Sequence, residues 1–176
     1  MEFKSLLKDR IVQVLLFVIA LNAVAFVLVW RLDIFVHKDL YNYGLIFSYD
    51  WAADYWYYSG LLWSFLPEAI TLSALSIIPH RQHSQKTSKT TKILCALLPT
   101  LAITYQTLCI WSLTQIDAIV KNRLYDYGIP SNFNWATTYN PISATALVFM
   151  VTALIALIIP TIRTFDIIEI ERTKEE

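Results

Sequence analysis

An acidic residue, Glu68, stands in the middle of a long apolar run, in the sequence WSFLPEAITL directly after Pro67. A carboxylate at the centre of a bilayer costs about 2.5–3.5 kcal/mol on insertion scales, so such a group normally faces a partner or a water-filled cavity. Ser64 and Thr71 fall on the same helical face as Glu68, at spacings of four and three residues. This polar stripe predicts either an ion path or an uncharged Glu68 that is hydrogen-bonded inside a helical bundle.

Two amide side chains, Asn22 and Gln106, are the expected partners of Glu68 in the second of these roles. Asn22 and Gln106 are separated along the chain by the same number of residues as two similar segments of the sequence. We call this separation the repeat offset. We therefore expect Asn22 and Gln106 to approach each other near the axis of the bundle. The residue that corresponds to Glu68 at the repeat offset is Thr152, so the sequence predicts no symmetric pair of carboxylates.

Metal-ligating residues occur in one suggestive pair. Asp33 and His37 are four residues apart, which places them on one helical face and suits a metal ion. The corresponding pair at the repeat offset is Asp117 and Lys121, and lysine abolishes the ligand set. We predict no metal site.

Nucleophilic and cofactor motifs give little. Cys95 and Cys109 are 14 residues apart, which is about 21 Å along a helix, so they do not pair with each other. The sequence contains no P-loop, no G-x-S-x-G, no H-E-x-x-H and no glycine-rich dinucleotide turn. We predict no catalytic residues and no cofactor. The acids open to an enzymatic role at a lipid surface are Asp33, Asp39, Asp50 and Asp54.

An internal repeat predicts the elements that position these residues. Residues 32–55, LDIFVHKDLYNYGLIFSYDWAADY, recur without a gap as residues 116–139, IDAIVKNRLYDYGIPSNFNWATTY, with 9 of 24 positions identical. Such self-similarity is typical of duplicated structural units. Each copy lies between two long apolar runs. We therefore predict an all-α membrane protein whose four transmembrane helices form two tandem hairpins with protruding extracytoplasmic segments.

Four apolar runs are long enough to cross a bilayer, which takes about 20 residues. They lie near 11–30, 58–79, 93–115 and 142–162. We predict a single membrane domain, 1–176. Repeat one covers 8–79, with helices at about 11–43 and 51–79, and repeat two covers 93–162, with helices at about 93–127 and 135–162. A basic loop, 80–92, connects the repeats, and a tail, 163–176, follows them.

The first apolar run also has features of a signal peptide. Lys4, Lys8 and Arg10 precede it, and the A-V-A at 23–25 would suit cleavage. The run continues through Trp30, however, and cleavage would remove a helix that repeat two keeps. We interpret it as a membrane anchor.

Composition agrees with a membrane protein. Hydrophobic residues make up 56% of the chain and charged residues 16%, against roughly 45–50% and 25% in soluble domains. The net charge of zero argues against capture of nucleic acid. The predicted partners are the lipid bilayer and either other membrane subunits or further copies of the chain.

The distribution of Lys and Arg predicts the orientation. Ten of the fourteen fall in the N-terminal segment, the loop 80–92 and the tail 163–176, and four lie around the repeated segments. Because cytoplasmic loops carry the excess of Lys and Arg, both termini should face the cytoplasm of a plasma membrane. Repeats that both begin and end inside are related by a pseudo-twofold axis along the membrane normal.

The outer segments share the pattern L-Y-[ND]-Y-G, followed after five intervening residues by [DN]-W-A. Glycine ends helices in a left-handed conformation, and Asp50 and Asn134 are favourable N-caps. We expect the two segments to form one pseudo-symmetric cap or an outer binding surface, within an aromatic belt at the membrane interface. The candidate residues are Tyr41, Tyr43, Gly44 and Trp51 in the first copy and Tyr125, Tyr127, Gly128 and Trp135 in the second.

Prolines suggest helix boundaries. Asn140-Pro141 is typical of a helix start, so the fourth helix could begin there. Ile-Ile-Pro at Pro79 and at Pro160 suggests the ends of the second and fourth helices.

Together these features predict a non-enzymatic integral membrane protein, an accessory or assembly subunit that acts through helix–helix and extracytoplasmic contacts. The alternative is a small oligomeric transporter or channel that uses Glu68. A lipid-modifying membrane enzyme is the third hypothesis.

Overall fold

Four long α-helices make up the part of the chain that the computed structural model describes, residues 9–42, 51–83, 89–126 and 135–175, with side chains described over 9–38, 53–80, 90–120 and 139–162. The helices are α1 (Arg10–Asn42), α2 (Trp51–His83), α3 (Lys89–Asp126) and α4 (Trp135–Glu175). Each contains one segment long and apolar enough to cross a membrane: Arg10–Lys38, Ala53–His80, Thr90–Val120 and Tyr139–Ile162. The expectation of an all-helical chain with four candidate spans is confirmed.

The helix boundaries correct the expectations drawn from proline. α4 begins at Trp135, and Pro141 lies inside it rather than at its start. α2 continues past Pro79 to His83, and α4 continues past Pro160. Proline is tolerated inside membrane helices because neighbouring side chains and adjacent helices satisfy the carbonyl groups that it leaves without a backbone donor.

The start of α1 is fixed by a side chain. Oδ1 of Asp9 accepts a hydrogen bond from the Ile11 amide at 2.9 Å. The amide groups of the first helical turn have no partner within the helix, and a carboxylate in this position satisfies one of them. Asp9 is therefore the N-cap of α1.

The four helices pack as a closed ring. α1 lies against α2 and α4, and α3 lies against the same two helices. Helices that follow one another in the chain therefore pack side by side, as in an up-down-up-down bundle. In this arrangement α2 and α3 form one side of the bundle, and α4 and α1 form the opposite side.

The core has two apolar clusters, one toward each end of the bundle. The cluster toward the end of the bundle where α1 and α3 end contains Val29, Leu62, Leu113 and Met150 among its buried residues. The cluster at the opposite end is built from Leu15, Val18, Leu21, Ala102, Ala153, Ala156 and Leu157. In sequence, Asn22 and Gln106 fall between the residues of the two clusters, and both are fully buried. Phe149 packs against both clusters, so the two parts of the core are joined at that residue.

Buried positions recur at the repeat offset. Fully or almost fully buried pairs related in this way include Asn22 and Gln106, Ala25 and Cys109, Val36 and Val120, Tyr55 and Tyr139, Ser59 and Ser143, Leu66 and Met150, and Ala69 and Ala153. The first and second helical pairs therefore turn equivalent faces toward the interior of the bundle.

Candidate functional site

A carboxylate on α1 is held by two hydroxyl groups of α2. The Tyr55 hydroxyl donates a hydrogen bond to Oδ1 of Asp33 at 2.9 Å, and the Ser59 hydroxyl donates to the same oxygen at 3.2 Å. Tyr55 and Ser59 are one helical turn apart, so both reach one point on the neighbouring helix. They are buried, with 4% and 5% of their surface exposed. We call these three residues the first triad.

The same arrangement occurs between α3 and α4. Oδ1 of Asp117 accepts a hydrogen bond from the Tyr139 hydroxyl at 2.8 Å and another from the Ser143 hydroxyl. Each residue of this second triad is related to its counterpart in the first by the repeat offset. Tyr139 and Ser143 are also buried. The first triad therefore links α1 to α2, and the second links α3 to α4.

The two triads lie close to each other inside the bundle. A cleft with about 10 Å³ of free space is lined by Asp33, Tyr55 and Ser59 of the first triad and by Tyr139 of the second. Its remaining walls are apolar: Val29, Leu32, Val36, Leu62, Leu113 and Ile116. This volume corresponds to about one water molecule. The triads therefore act first as hydrogen-bonded links between helices, in a region too small for an organic substrate.

The serine members of the triads were missed by sequence reasoning, which placed Asp33 and Tyr55 in the repeat but gave them no contact. The signal was present. The repeated segments end at Tyr55 and Tyr139, yet four residues further on both copies have serine, Ser59 and Ser143. A comparison extended by one helical turn would have included them.

His37 is engaged by its own helix and by an aromatic ring. Its Nδ1–H donates to the backbone carbonyl oxygen of Asp33 at 2.7 Å, while the distance from Nδ1 to Oδ1 of Asp33 is 3.6 Å. The ring centroid of Trp56 is 4.5 Å away, nearly edge-on. Among the described residues no group of three or more His, Cys, Asp or Glu side chains could hold a metal ion.

Glu68 lies on the outside of the bundle, so the expectation that it is hydrogen-bonded within the bundle is wrong. Its side chain is exposed, whereas Leu66 and Ala69 on either side of it are buried. Ser64 and Thr71 share its outward face, and their hydroxyls donate at 2.9 and 2.8 Å to carbonyl oxygens one turn earlier in their own helix. The polar stripe expected from the sequence thus exists, but it faces away from the core.

The buried amides Asn22 and Gln106 do not bond to Glu68. Gln106 Nε2 donates to the backbone carbonyl oxygen of Met150 on α4 at 3.1 Å, and its Oε1 accepts no hydrogen bond from the protein. Asn22 has no hydrogen-bond partner for either Nδ2 or Oδ1. By the repeat offset, the counterpart of the Met150 carbonyl is that of Leu66. Asparagine is one methylene shorter than glutamine, and Asn22 makes no equivalent bond.

The outward-facing residues of the middle of the bundle differ between its two sides. The exposed polar residues on the α2–α3 side are Ser64, Glu68, Thr71, Thr100, Thr104, Thr107 and Thr114. On the α4–α1 side, the exposed residues of α1 from Leu16 to Trp30 are all apolar, and the exposed polar residues of α4 from 144 to 159 are Thr145 and Thr152. Polar side chains therefore concentrate on one side of the bundle.

The candidate residues of the outer segments lie mostly outside the described part of the chain. Tyr43, Gly44, Tyr127 and Gly128 are not among the described residues, and Asp50 and Asn134 are not either. The structure places Tyr41 in the last turn of α1 and Tyr125 in the last turn of α3, and α2 and α4 begin at Trp51 and Trp135. The side chains of these four residues are not described.

No protein-family model, no curated protein and no solved structure matches the chain. The positions and contacts of the described side chains are therefore the basis for a functional inference.

Proposed function

We propose that this protein is a non-enzymatic integral membrane subunit, an accessory or assembly component that docks on another membrane protein through the α2–α3 side of its bundle. The observation that carries the proposal is the position of Glu68 in the middle of an apolar span and on the outside of the bundle. A carboxyl group at that place requires a partner that the bundle itself does not supply.

The depth of Glu68 makes lipid an unfavourable neighbour. Three helical turns separate it from His80, the end of its candidate span, a distance of about 18 Å along the helix. A glutamate side chain is too short to reach the membrane surface from there. Its insertion therefore costs about 2.5–3.5 kcal/mol unless another polypeptide or water covers it.

The unequal sides of the bundle support the same proposal. Transmembrane helix interfaces are enriched in small and hydroxyl-bearing residues, which let backbones approach closely. Such residues flank Glu68 on α2, and they follow one face of α3 as Thr100, Thr104 and Thr107. The opposite side, where Val24, Val27 and other aliphatic residues of α1 face outward, is suited to lipid.

The other two hypotheses use the same residues differently. In the alternative, an oligomeric transporter or channel, the ion path that uses Glu68 would run between chains, because the carboxyl group lies outside the bundle. Of the acids considered for a lipid-modifying enzyme, Asp33 accepts two hydrogen bonds through Oδ1, which favours a structural role for that residue.

The topology belongs to the same proposal. Both termini and residues 80–92 would face the cytoplasm of a plasma membrane, as the distribution of Lys and Arg suggests. The two hairpins would be products of duplication, related by a pseudo-twofold axis along the membrane normal. The recurrence of the triads at the repeat offset supports this origin.

The test compares two leucine substitutions in native membranes. Glu68→Leu should shift the protein from a larger complex to the size of the isolated chain on mild solubilisation and native electrophoresis. Thr152→Leu is the matched control, since Thr152 occupies the equivalent outward position on α4. If both variants migrate like the wild type, the α2–α3 side is not a docking face and the proposal fails.

A further inference from the structure

We propose that the partner helix covering Glu68 presents a cationic side chain, lysine or arginine, in the middle of the membrane. This inference rests on the proposed function and specifies the chemistry of the partner. It makes Glu68 one half of an ion pair that two different proteins form within the membrane.

Charge complementarity favours a different protein over a second copy of this chain. Within the four described spans, the Lys and Arg residues lie at or near the ends of α1 and α3: Arg10, Arg31, Lys38 and Lys92. None of these four lies at the depth of Glu68. Two copies that met through this face would bring together two carboxyl groups and several hydroxyls. A cation at that depth must come from another polypeptide.

The depth of the contact can be read from the packing of α2 on α3. The rings of Phe65 and Tyr105 are 5.7 Å apart, and the two helices run in opposite directions. Glu68, one turn further along α2, therefore lies level with the residues about one turn before Tyr105 on α3. Thr104 and Thr100 face outward at this level. Because threonine side chains are short, they leave room beside the carboxyl group for another helix to pack.

The neighbouring hydroxyl groups leave Glu68 as the group that selects the partner. The hydroxyls of Thr100 and Thr104 donate to carbonyl oxygens of their own helix at 2.7 and 3.1 Å, and Ser64 and Thr71 are bonded in the same way. Hydroxyl groups that are already hydrogen-bonded within their own helix allow a partner helix to approach closely, but they do not select which partner binds. The carboxylate of Glu68 gains most from a cation, since an ionised group out of water needs both an opposite charge and hydrogen-bond donors.

A defined peptide tests the proposal without knowledge of the natural partner. The full chain, carrying a donor fluorophore at its C-terminus, is reconstituted in liposomes with a leucine–alanine transmembrane peptide of about 23 residues that carries an acceptor. The peptide has lysine, glutamine or leucine at its central position. Energy transfer reports association in the bilayer. We expect the lysine peptide to associate at least about fivefold more tightly than the leucine peptide, since polar contacts between membrane helices have modest energies.

Substitutions in the protein assign this preference to one side chain. With the Glu68→Gln variant, the lysine peptide should associate no more tightly than the glutamine peptide does. Thr152→Gln, on the opposite side of the bundle, should leave the lysine preference unchanged. Equal association of the three peptides with the wild type would overturn the proposal, as would a lysine preference that persists in Glu68→Gln.

A second measurement separates self-association from the failure of the wider proposal. In this measurement, some copies of the chain carry the donor and others carry the acceptor. If energy transfer between them is lost in Glu68→Gln and is unaffected by any peptide, the α2–α3 side pairs two copies of the chain and no cationic partner is needed. The native complex would then still dissociate in Glu68→Leu. A native complex that is unchanged by Glu68→Leu would instead remove the docking function itself, whatever the peptides do.

Discussion

The hydroxyl of Tyr139 donates a 2.8 Å hydrogen bond to Oδ1 of Asp117, and this bond links α4 to α3 inside the bundle. The corresponding bond between α2 and α1, from Tyr55 to Asp33, has nearly the same length, 2.9 Å. Each carboxylate also accepts a hydrogen bond from a serine hydroxyl. The α1–α2 and α3–α4 pairs are therefore linked by the same chemistry at equivalent positions.

Removing one of these tyrosine hydroxyls should destabilise the bundle modestly. Tyr139→Phe and Tyr55→Phe each remove one donor, and we expect each to lower the free energy of unfolding by about 0.6–1.7 kcal/mol, the range for polar contacts between membrane helices. Reversible unfolding in mixed micelles measures the change. Tyr57→Phe serves as the control, since 61% of Tyr57 is exposed and its hydroxyl should not matter. If Tyr139→Phe were as silent as Tyr57→Phe, the link would have no energetic role.

Replacing the unpaired amide of Asn22 should stabilise the protein. Asn22→Leu roughly keeps the size of the side chain and removes two buried polar atoms without partners, each of which costs about 1–3 kcal/mol when left unsatisfied. We expect the free energy of unfolding to rise by about 1 kcal/mol.

Gln106→Leu is the matched variant, and it should gain less because it also loses the bond to the Met150 carbonyl. The same unfolding assay applies. A decrease in stability for Asn22→Leu would mean that Asn22 has a partner after all, such as a bound water.

Substitutions of Glu68 should leave the isolated chain folded. Because Glu68 faces away from the core, Glu68→Gln and Glu68→Lys should each change the free energy of unfolding in micelles by less than about 0.5 kcal/mol. Ala69→Lys provides the contrast, since the neighbouring Ala69 is fully buried and a charge there should prevent folding. Unfolding of Glu68→Lys at markedly lower denaturant would show that Glu68 has a contact inside the bundle.

The orientation can be measured by accessibility labelling. In a chain whose cysteines, Cys95 and Cys109, are replaced, Ser84→Cys should react only from the cytoplasmic side and Ser131→Cys only from the outside. The expectation follows from the excess of Lys and Arg on the side of Ser84. Modification of Ser84→Cys by an impermeant reagent added to intact cells would reverse the topology.

The local composition of the chain was enough to locate the helices. Runs of about 20 apolar residues partition into a membrane as helices whatever surrounds them, because every backbone polar group must then be satisfied within its own segment. The four candidate spans could therefore be assigned from sequence. The repeat also shows that Asp33 and Tyr55 recur as Asp117 and Tyr139, but it does not show that they are in contact.

Which face of each helix turns inward was decided by the tertiary structure. In a soluble helix a polar stripe marks the outside, but a helix that is apolar on every side has no such contrast, so the positions of Asn22 and Glu68 looked equally suited to the interior. Packing put Asn22 in the core and Glu68 on the outer surface.

The triads depended on tertiary structure for a related reason. Asp33 and Ser59 are 26 residues apart in sequence and meet only because α1 and α2 pack side by side in one register. Residue types and spacing along a single helix determine what each span contains. The distances between spans depend on how side chains of neighbouring helices fit together, and that fit places Glu68 on the outer surface of the bundle.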